Sequence, residues 1–258
     1  MTDNLKTTSS TPLVIIPDLH GRSFWREAAA AFPKADFIFL GDYLDPYPED
    51  QVSADAAFAE LTALVAFKRL NPDRVVLLWG NHDLHYVLPI LQGSRFDAEN
   101  AERNRQLFQS ASGLFQLACE RKIVGKRFLF THAGVGRGWV ERLSPGKAPE
   151  EITADWLNGL LTTAASAEAL YEVSAERGGT HEYGSPVWAD LAEQQRSGNQ
   201  LPGCVQVFGH SRKNAPVNWD NRIYCLDCGD YFVLNLRTGR IYDRKDKELW
   251  PFPITVAG

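Results

Sequence analysis

The chain has 258 residues, a formal net charge of −5, 44% hydrophobic residues and 23% charged residues. This composition is typical of a globular protein, and the length is common for one α/β domain. The negative net charge argues against non-specific nucleic-acid binding, which needs a basic surface. A local basic patch is still compatible with this net charge.

The ends and the apolar content predict a cytoplasmic protein. The first residues, MTDNLKTTSSTP, are polar and lack the apolar core of a secretory signal. The sequence has no run of about 18 apolar residues, so we expect no membrane span and no membrane partner. In the cytoplasm the four cysteines should stay reduced. We predict a disordered tail over residues 1–11 and a single domain over residues 12–258.

Short apolar runs alternate with helical patterns along the chain. The predicted strands are residues 13–16, 37–40, 75–79, 127–130 and 205–208, and three more strands are expected within 222–242, with a turn at 237–239. The predicted helices are residues 24–32, 54–70 with Ser53 as the N-cap, and 104–121. Continuous apolar runs fit strands that are covered on both faces, so the order predicts a layered α/β architecture.

Polar side chains follow each of the first five predicted strands. They are Asp18 and His20, Asp42 and Asp45, Asn81, His82 and Asp83, His132, and His210. Ligand-binding residues of such sheets lie just beyond the carboxyl ends of the strands. Turn preference explains aspartate and asparagine there, but it does not explain four of the six histidines.

The chemistry of this set indicates divalent metal ions. Carboxylate oxygen, imidazole nitrogen and amide oxygen suit Mn²⁺, Fe²⁺ or Zn²⁺, and the absence of cysteine from the set argues against a structural zinc site. Six ligands drawn from this set are too many for one catalytic ion that keeps open coordination positions. They suit two ions that share one carboxylate. The separate pair Cys225 and Cys228 forms a lone CxxC, for which ordinary buried thiols and a metal or redox role are the alternatives.

These motifs in their order resemble the calcineurin-like metallophosphoesterases over about residues 13–236. The matching elements are DxH (Asp18, His20), GDxxD (Asp42, Asp45), GNH (Asn81, His82), His132 and GH (His210). Within that superfamily, GDYLD, the stretch PVWAD at 186–190 and GHS followed by Arg212 are similar to the phosphoprotein phosphatase branch.

The resemblance implies a fold, a reaction and residue roles. The fold is a four-layer α-β-β-α sandwich of two mixed β-sheets flanked by helices, with a dinuclear metal site at the carboxyl ends of the strands. A hydroxide that bridges the metals attacks phosphorus directly. The implied roles are as follows: Asp18 and His20 bind the first metal, Asp42 bridges both, Asn81, His132 and His210 bind the second, His82 protonates the leaving alkoxide, and Asp45 orients His82.

The sequence departs from the branch at the position of a phosphate-binding arginine. The branch usually has Arg-Gly after GDxxD, and here Pro46 and Tyr47 stand there. Neither side chain can replace a bidentate guanidinium. The candidates for the missing charge are Arg22, Arg212 and Arg196, each with a solvated surface arginine as the alternative.

Several other residues near the motifs have two interpretations. Asp83 stands where the branch usually has glutamate, and it could equally be an acid at a helix N-terminus. We expect His85 and His181 to be incidental. The aromatic residues could line a substrate groove or pack in the core; they are Tyr43, Tyr47, Tyr183 and Trp188.

The sequence predicts a phosphoric monoester hydrolase that acts on a phosphoprotein or a small phosphoester, a serine/threonine protein phosphatase being one candidate. The alternative is a phosphodiesterase or a dinucleoside polyphosphate hydrolase that resembles the symmetrical diadenosine tetraphosphatases. Those enzymes tend to lack an acid at the position of Asp45, which favours the monoester. A non-catalytic scaffold is a third hypothesis, but the complete ligand set argues against it.

Overall fold

The computed structural model describes residues 11–88 and 93–250. Its strands are β1 (Leu13–Ile16), β2 (Asp36–Phe39), β3 (Val75–Leu78), β4 (Phe115–Gln116), β5 (Ala118–Ile123), β6 (Lys126–Thr131), β7 (Cys204–Phe208), β8 (Val217–Trp219), β9 (Ile223–Cys225), β10 (Phe232–Asn235) and β11 (Arg240–Asp243). Its helices are α1 (Trp25–Ala31), α2 (Ala54–Leu70), α3 (Asn81–Val87), α4 (Ala101–Ser110), α5 (Arg137–Leu143), α6 (Ala154–Gly159), α7 (Ala164–Ala167) and α8 (Leu191–Gln195).

Two mixed sheets form the frame of the fold. The first has the strand order β11-β10-β1-β2-β3-β4, and the second has the order β5-β6-β7-β9-β8. The strands β1 to β4 run parallel, and β6, β7 and β9 also run parallel to one another. The flanking strands pair in antiparallel fashion. This architecture confirms the predicted fold class.

The apolar runs are continuous because the strands bury both faces. In β1, Leu13 and Ile15 belong to a cluster formed by residues of the two sheets, whereas Val14 and Ile16 pack with helix residues such as Trp25. Alternate side chains of a strand point to opposite faces, so a strand between a sheet and helices needs apolar residues at every position.

The helix predicted over residues 24–32 is observed as α1, and the one predicted over 54–70 is observed as α2. The Ser53 hydroxyl accepts a hydrogen bond from the amide of Ala56 at 3.1 Å, as expected of an N-cap.

The helix predicted over residues 104–121 is wrong in its second half. The helix α4 ends at Ser110, and residues 115–116 and 118–123 form the strands β4 and β5. Phe115 stacks on Trp79 with the ring centroids 4.5 Å apart, and β5 pairs with β6. Pairing with neighbouring strands therefore overrides a short apolar pattern that suits a helix equally well.

Among the described residues, no helix is long and apolar enough to cross a membrane. Residues 1–10 of the predicted tail lie outside the described residues. The single domain over residues 12–258 stays a prediction.

Candidate metal centre

The polar residues that follow β1, β2, β3, β6 and β7 meet at one edge of the two sheets. All of them are buried, with at most 6% of the residue exposed; they are Asp18, His20, Asp42, Asp45, Asn81, His82, His132 and His210. Four of them have backbones in the left-handed region, namely His20 (φ 45°), Asp42 (φ 55°), Asp45 (φ 57°) and His210 (φ 62°). Side chains other than glycine seldom adopt this conformation, and such strain concentrates at functional sites.

Two groups of side chains that could hold a metal ion, called here the metal-binding groups, share one carboxylate. The first consists of Asp18, His20 and Asp42, and the second of Asp42, His132 and His210. Within each group, the potential ligand atoms lie within 4.8 Å of one another. The amide oxygen of Asn81 lies 3.0 Å from Nε2 of His132 and extends the second group.

The hydrogen bonds of two histidines leave their lone pairs directed into this centre. Nδ1 of His20 donates to the carbonyl of Leu44 at 2.9 Å, and Nδ1 of His132 donates to the carbonyl of Leu40 at 2.8 Å. The unprotonated Nε2 of each neutral ring then lies 3.5 Å from a carboxylate oxygen of Asp42. Lone pairs facing carboxylate oxygens repel one another unless a cation lies between them, so this donor set fits divalent metal ions.

The charges of the centre also fit bound cations. Burial raises the pKa of Asp18 to about 6 and that of Asp42 to about 8. Burial lowers the pKa of His20, His132 and His210, which favours the neutral imidazole that a metal requires. Buried carboxylates with no compensating charge are costly, and divalent ions would supply that charge.

A further buried carboxylate, Asp227, was not predicted as a site residue. It is 1% exposed, and neither of its oxygens has a hydrogen-bond partner among the described residues. Burial and the nearby Asp18 raise its pKa to about 8. This unpartnered group adds to the negative potential beside the two metal-binding groups.

The predicted pair of His82 and Asp45 is present beside the metal-binding groups. Nδ1 of His82 donates to Oδ2 of Asp45 at 2.8 Å. Nε2 of His85 lies 2.8 Å from the same oxygen, and the hydroxyl of Tyr86 donates to Oδ1. Three residues of α3 therefore hold Asp45, and His85, which the sequence suggested to be incidental, is one of them.

The environment lowers the pKa of both members of this pair. Burial lowers the pKa of His82 to about 4, although the hydrogen bond to Asp45 opposes this fall. Burial alone would raise the pKa of Asp45, but the hydrogen bonds from His82 and His85 lower it below its ordinary value. Asp45 is therefore an anion that can hold the imidazole of His82 in one orientation.

Asp83 organises the turns that carry the centre. Its carboxylate accepts hydrogen bonds from three backbone amides, those of Asp42 at 2.8 Å, Tyr43 at 2.9 Å and Gly80 at 2.9 Å. A Cβ atom at Gly80 would lie 2.1 Å from Oδ1 of Asp42. The close approach of Asp42 to the backbone therefore requires glycine at position 80. The three hydrogen bonds of Asp83 connect the turn after β2 to the start of α3.

The three arginines predicted to bind phosphate do not line the pocket above this centre. Arg22 donates to the carbonyls of Leu19 and Asp18, at 2.9 and 2.8 Å. Arg212 pairs with Glu49 at 3.1 Å, and Arg196 pairs with Glu176. These side chains are held by other partners, and phosphate binding by them stays a prediction.

Two other arginines line this pocket, which has a volume of about 340 Å³. Its lining residues are Asp42, Tyr47, Asn81, His82, Ser94, Arg95, Glu176, Arg177, Trp188 and His210. The two arginines lie outside the five motifs, in segments without regular spacing. The only sequence signal for them is an arginine beside glycine or serine in a polar loop, which is too common to single them out.

Contacts with the centre hold both guanidinium groups, and Arg177 also pairs with Asp190 at 3.5 Å. Nη2 of Arg95 lies 3.2 Å from Nε2 of His82, and its Cζ atom lies 3.7 Å from the ring centroid of Tyr47. Nε of Arg177 donates to Nε2 of His210 at 3.0 Å, and its Nη2 donates to the carbonyl of His210 at 2.7 Å. Two permanent positive charges therefore face the pocket.

The aromatic candidates separate into two groups. Tyr47 and Trp188 line the pocket, whereas Tyr43 is in the core and donates its hydroxyl to the carbonyl of Leu78 at 2.8 Å. Tyr183 is outside the pocket lining and packs against Gly138.

The CxxC cysteines lie outside the metal-binding groups. Among the described residues, neither Cys225 nor Cys228 belongs to such a group, and both thiols are free. The Cys225 thiol is buried and lies 3.4 Å from the carbonyl oxygen of Gly209.

The fold and the paired carboxylate–histidine groups define a metal-dependent hydrolase. The sequence model of the calcineurin-like phosphoesterase family matches residues 11–213, and the chain belongs to this family. Its members hydrolyse phosphate esters, so the predicted family and the prediction of a hydrolase that acts on phosphate esters are confirmed.

Curated relatives include two serine/threonine phosphatases. The chain is 22% identical to the serine/threonine-protein phosphatase 6 catalytic subunit of Drosophila melanogaster over 248 residues, which cover 95% of this chain and 71% of the relative. It is 20% identical to the serine/threonine-protein phosphatase ppe1 of Schizosaccharomyces pombe over 246 residues, which cover 85% and 73%.

A solved structure has the same fold. It is a protein serine/threonine phosphatase from Saccharomyces cerevisiae with similarity to human phosphatase PP5, and it is 17% identical to this chain with a TM-score of 0.53. The match covers 96% of this chain and 82% of that one.

Proposed function

We propose that this protein is a metal-dependent phosphatase that hydrolyses phosphate monoesters, with a phosphorylated serine or threonine side chain of a protein as the favoured substrate. The observation that carries the proposal is Asp42, which two metal-binding groups share beside the His82–Asp45 pair. The serine/threonine phosphatases among the relatives support the substrate class.

We further propose a cytoplasmic location and one domain over residues 12–258.

Two divalent ions, Mn, Fe or Zn, fit the donor set. Asp18, His20 and Asp42 would hold one ion, and Asn81, His132 and His210 would hold the other together with Asp42. When bound, such ions make water a nucleophile at neutral pH and neutralise charge on the transferred phosphoryl group.

Arg95 and Arg177 would bind the substrate phosphate. A guanidinium group presents two parallel donors to phosphate oxygens, and Arg95 has no carboxylate ion-pair partner among the described residues. Its charge is therefore available for substrate. The two arginines supply the positive charge that the sequence lacks at Pro46 and Tyr47.

His82 would act as the general acid. Its Nδ1 proton is held by Asp45, so Nε2 is the atom that faces the pocket. Because the pKa of His82 is about 4 without substrate, Nε2 would take up the proton that it gives to the leaving oxygen only beside the negative charge of the bound phosphate. Arg95 contacts this same nitrogen at 3.2 Å. A phosphate group that binds Arg95 therefore brings its ester oxygen close to Nε2.

The pocket favours a monoester over the dinucleoside polyphosphate of the alternative hypothesis. Its volume of about 340 Å³ is near the lower end of the roughly 300–1,000 Å³ that ligand pockets span. That volume suits a phosphoryl group with one side chain, whereas two nucleosides would have to lie outside it.

A substrate panel tests the proposal. The Mn²⁺-loaded protein should release phosphate from an aryl phosphate and from a phosphoserine peptide faster than it cleaves a dinucleoside tetraphosphate. The substitution His82→Ala should lower kcat by about 10²–10⁴-fold, and Asp42→Asn should reduce both metal content and activity. Faster cleavage of the dinucleoside would favour the alternative, and full activity after chelation and dialysis would refute both hypotheses. A protein that binds no transition metal in elemental analysis would favour the non-catalytic scaffold.

A further inference from the structure

A second groove lies at the end of the second sheet that is opposite to the metal centre. It has a volume of about 790 Å³ and is formed by the carboxyl end of β5, the first residues of β6 and β7, and the residue before β9. Its charged lining residues are Glu120, Arg121, Lys122, Lys126, Arg127 and Arg222. Five cations and one acid thus line this groove in a chain whose net charge is −5.

The single acid does not compensate for these cations. Glu120 lies 4.0 Å from Arg127 and also accepts the amide of Ala154 at 3.1 Å. In the part of the chain that the structure describes, three of the cations have no ion pair and no side-chain hydrogen bond; they are Lys122, Lys126 and Arg222. Their charges are therefore available to an anionic ligand.

The hairpin between β5 and β6 keeps two unfavourable features beside the groove. Lys122 stands directly opposite Arg127 in the register of the two strands, and like charges in this position destabilise a sheet. Val124 at the tip has φ 50° and is 58% exposed, although β-branched residues rarely adopt this conformation. An anion bound in the groove would offset the first cost, and local strain of the second kind is typical of binding sites.

The dimensions of the groove favour an extended chain over a compact anion. From β5 to β9 it crosses three strand spacings, or about 14 Å, with lysines at one end and Arg222 at the other. One phosphate group cannot contact both ends. An extended peptide of about four or five residues can, because each residue spans roughly 3.3 Å.

We propose that this groove binds an acidic segment of the phosphorylated protein substrate. This inference rests on the proposed function. The strand β6 separates the groove from His132 by about 20 Å, so at least about six extended residues must connect the acidic segment to the phosphorylated residue. Residues 1–10 contain one acid and residues 251–258 contain none, so neither of these segments has the chemistry of this partner.

Direct binding tests the groove apart from catalysis. The probe is a fluorescently labelled hexaglutamate peptide, and its anisotropy is measured with the metal-loaded protein at low salt. The double variant Lys122→Glu/Lys126→Glu should bind the peptide about tenfold more weakly. The control Lys34→Glu/Lys245→Glu changes two exposed lysines outside the groove by the same charge and should bind as the wild type does.

Two outcomes of this experiment overturn the proposal. Equal affinity in the two double variants would show that the groove is not the binding site. Tighter binding of a single-stranded oligonucleotide than of the peptide would show that the groove serves another class of ligand.

Hydrolysis of two phosphoserine peptides tests the link to substrate. Both carry a six-residue spacer, followed by four glutamates in one peptide and four glutamines in the other. The wild type should have a several-fold lower KM for the glutamate peptide, and the groove variant should lose this difference while its kcat/KM for an aryl phosphate is unchanged. Equal KM values in the wild type overturn the docking proposal, whereas binding of hexaglutamate without any hydrolysis contradicts only the proposed function.

Discussion

Replacing Arg95 by alanine should weaken catalysis far more than the loss of a surface charge would. Its guanidinium contacts Nε2 of His82 at 3.2 Å and donates to the carbonyl of Asp45 at 3.1 Å. A hydrogen bond to a charged group contributes about 1.5–3 kcal/mol. Loss of one such bond to the substrate phosphate therefore predicts a fall in kcat/KM of roughly 10- to 150-fold.

Steady-state kinetics of the Mn²⁺-loaded protein on an aryl phosphate measure this effect. The variant Arg95→Lys should recover only part of the loss, because an ammonium group cannot present two parallel donors. The matched control is Arg240→Ala, which removes an exposed arginine that pairs with Glu248 at 2.9 Å. Both residues are outside the pocket lining, so this variant should stay within about twofold of the wild type. An unchanged kcat/KM in Arg95→Ala would refute the phosphate-binding role. An equal loss of kcat/KM in the control would show that the effect is not specific to the pocket arginine.

Three further predictions concern the support of the site. Tyr47→Leu should raise KM, because it removes the ring against which the Arg95 guanidinium packs, whereas Tyr47→Phe keeps the ring and should leave KM unchanged. Equal KM values in the two variants would contradict the stacking role. Asp83→Ala should lower the free energy of unfolding by about 3 kcal/mol or more in denaturant titration, because three amides lose their acceptor, and a change below about 1 kcal/mol would contradict this. Cys228→Ser should keep its metal content and activity, and loss of metal would assign the CxxC to a metal site.

The candidate metal ligands that directly follow a strand could be predicted from the sequence. Asp18, Asp42 and Asn81 follow the continuous apolar runs of β1, β2 and β3, and the carboxyl ends of adjacent parallel strands must lie at one edge of a sheet. A run of apolar residues and the polar residues directly after it are local properties. The meeting of these three residues therefore needs only the strand order, which the α/β pattern indicates. His132 and His210 follow strands of the second sheet and join them only through the packing of the two sheets.

The residues that only the tertiary structure revealed lie in irregular segments or in ambiguous patterns. Arg95 follows His82 by 13 residues in a loop whose path no periodicity describes, and Arg177 reaches the centre across 33 residues. Residues 115–116 and 118–123 form the strands β4 and β5, although the apolar residues at 114, 115 and 117 also suit a helix, so local periodicity does not decide between the two.

The sequence by itself determined the layered α/β class, the strand ends and the side chains that can bind metal there, because these follow from hydrophobic periodicity and ligand chemistry. The two-sheet frame was implied by the family resemblance. The tertiary structure decided which arginines face the pocket and that Asp83 and His85 support the turns and Asp45. It also decided that the basic residues of the β5–β6 hairpin form one groove with Arg222. The physical reason is that these contacts join segments far apart in sequence, where loop paths and side-chain packing select partners that no local pattern specifies.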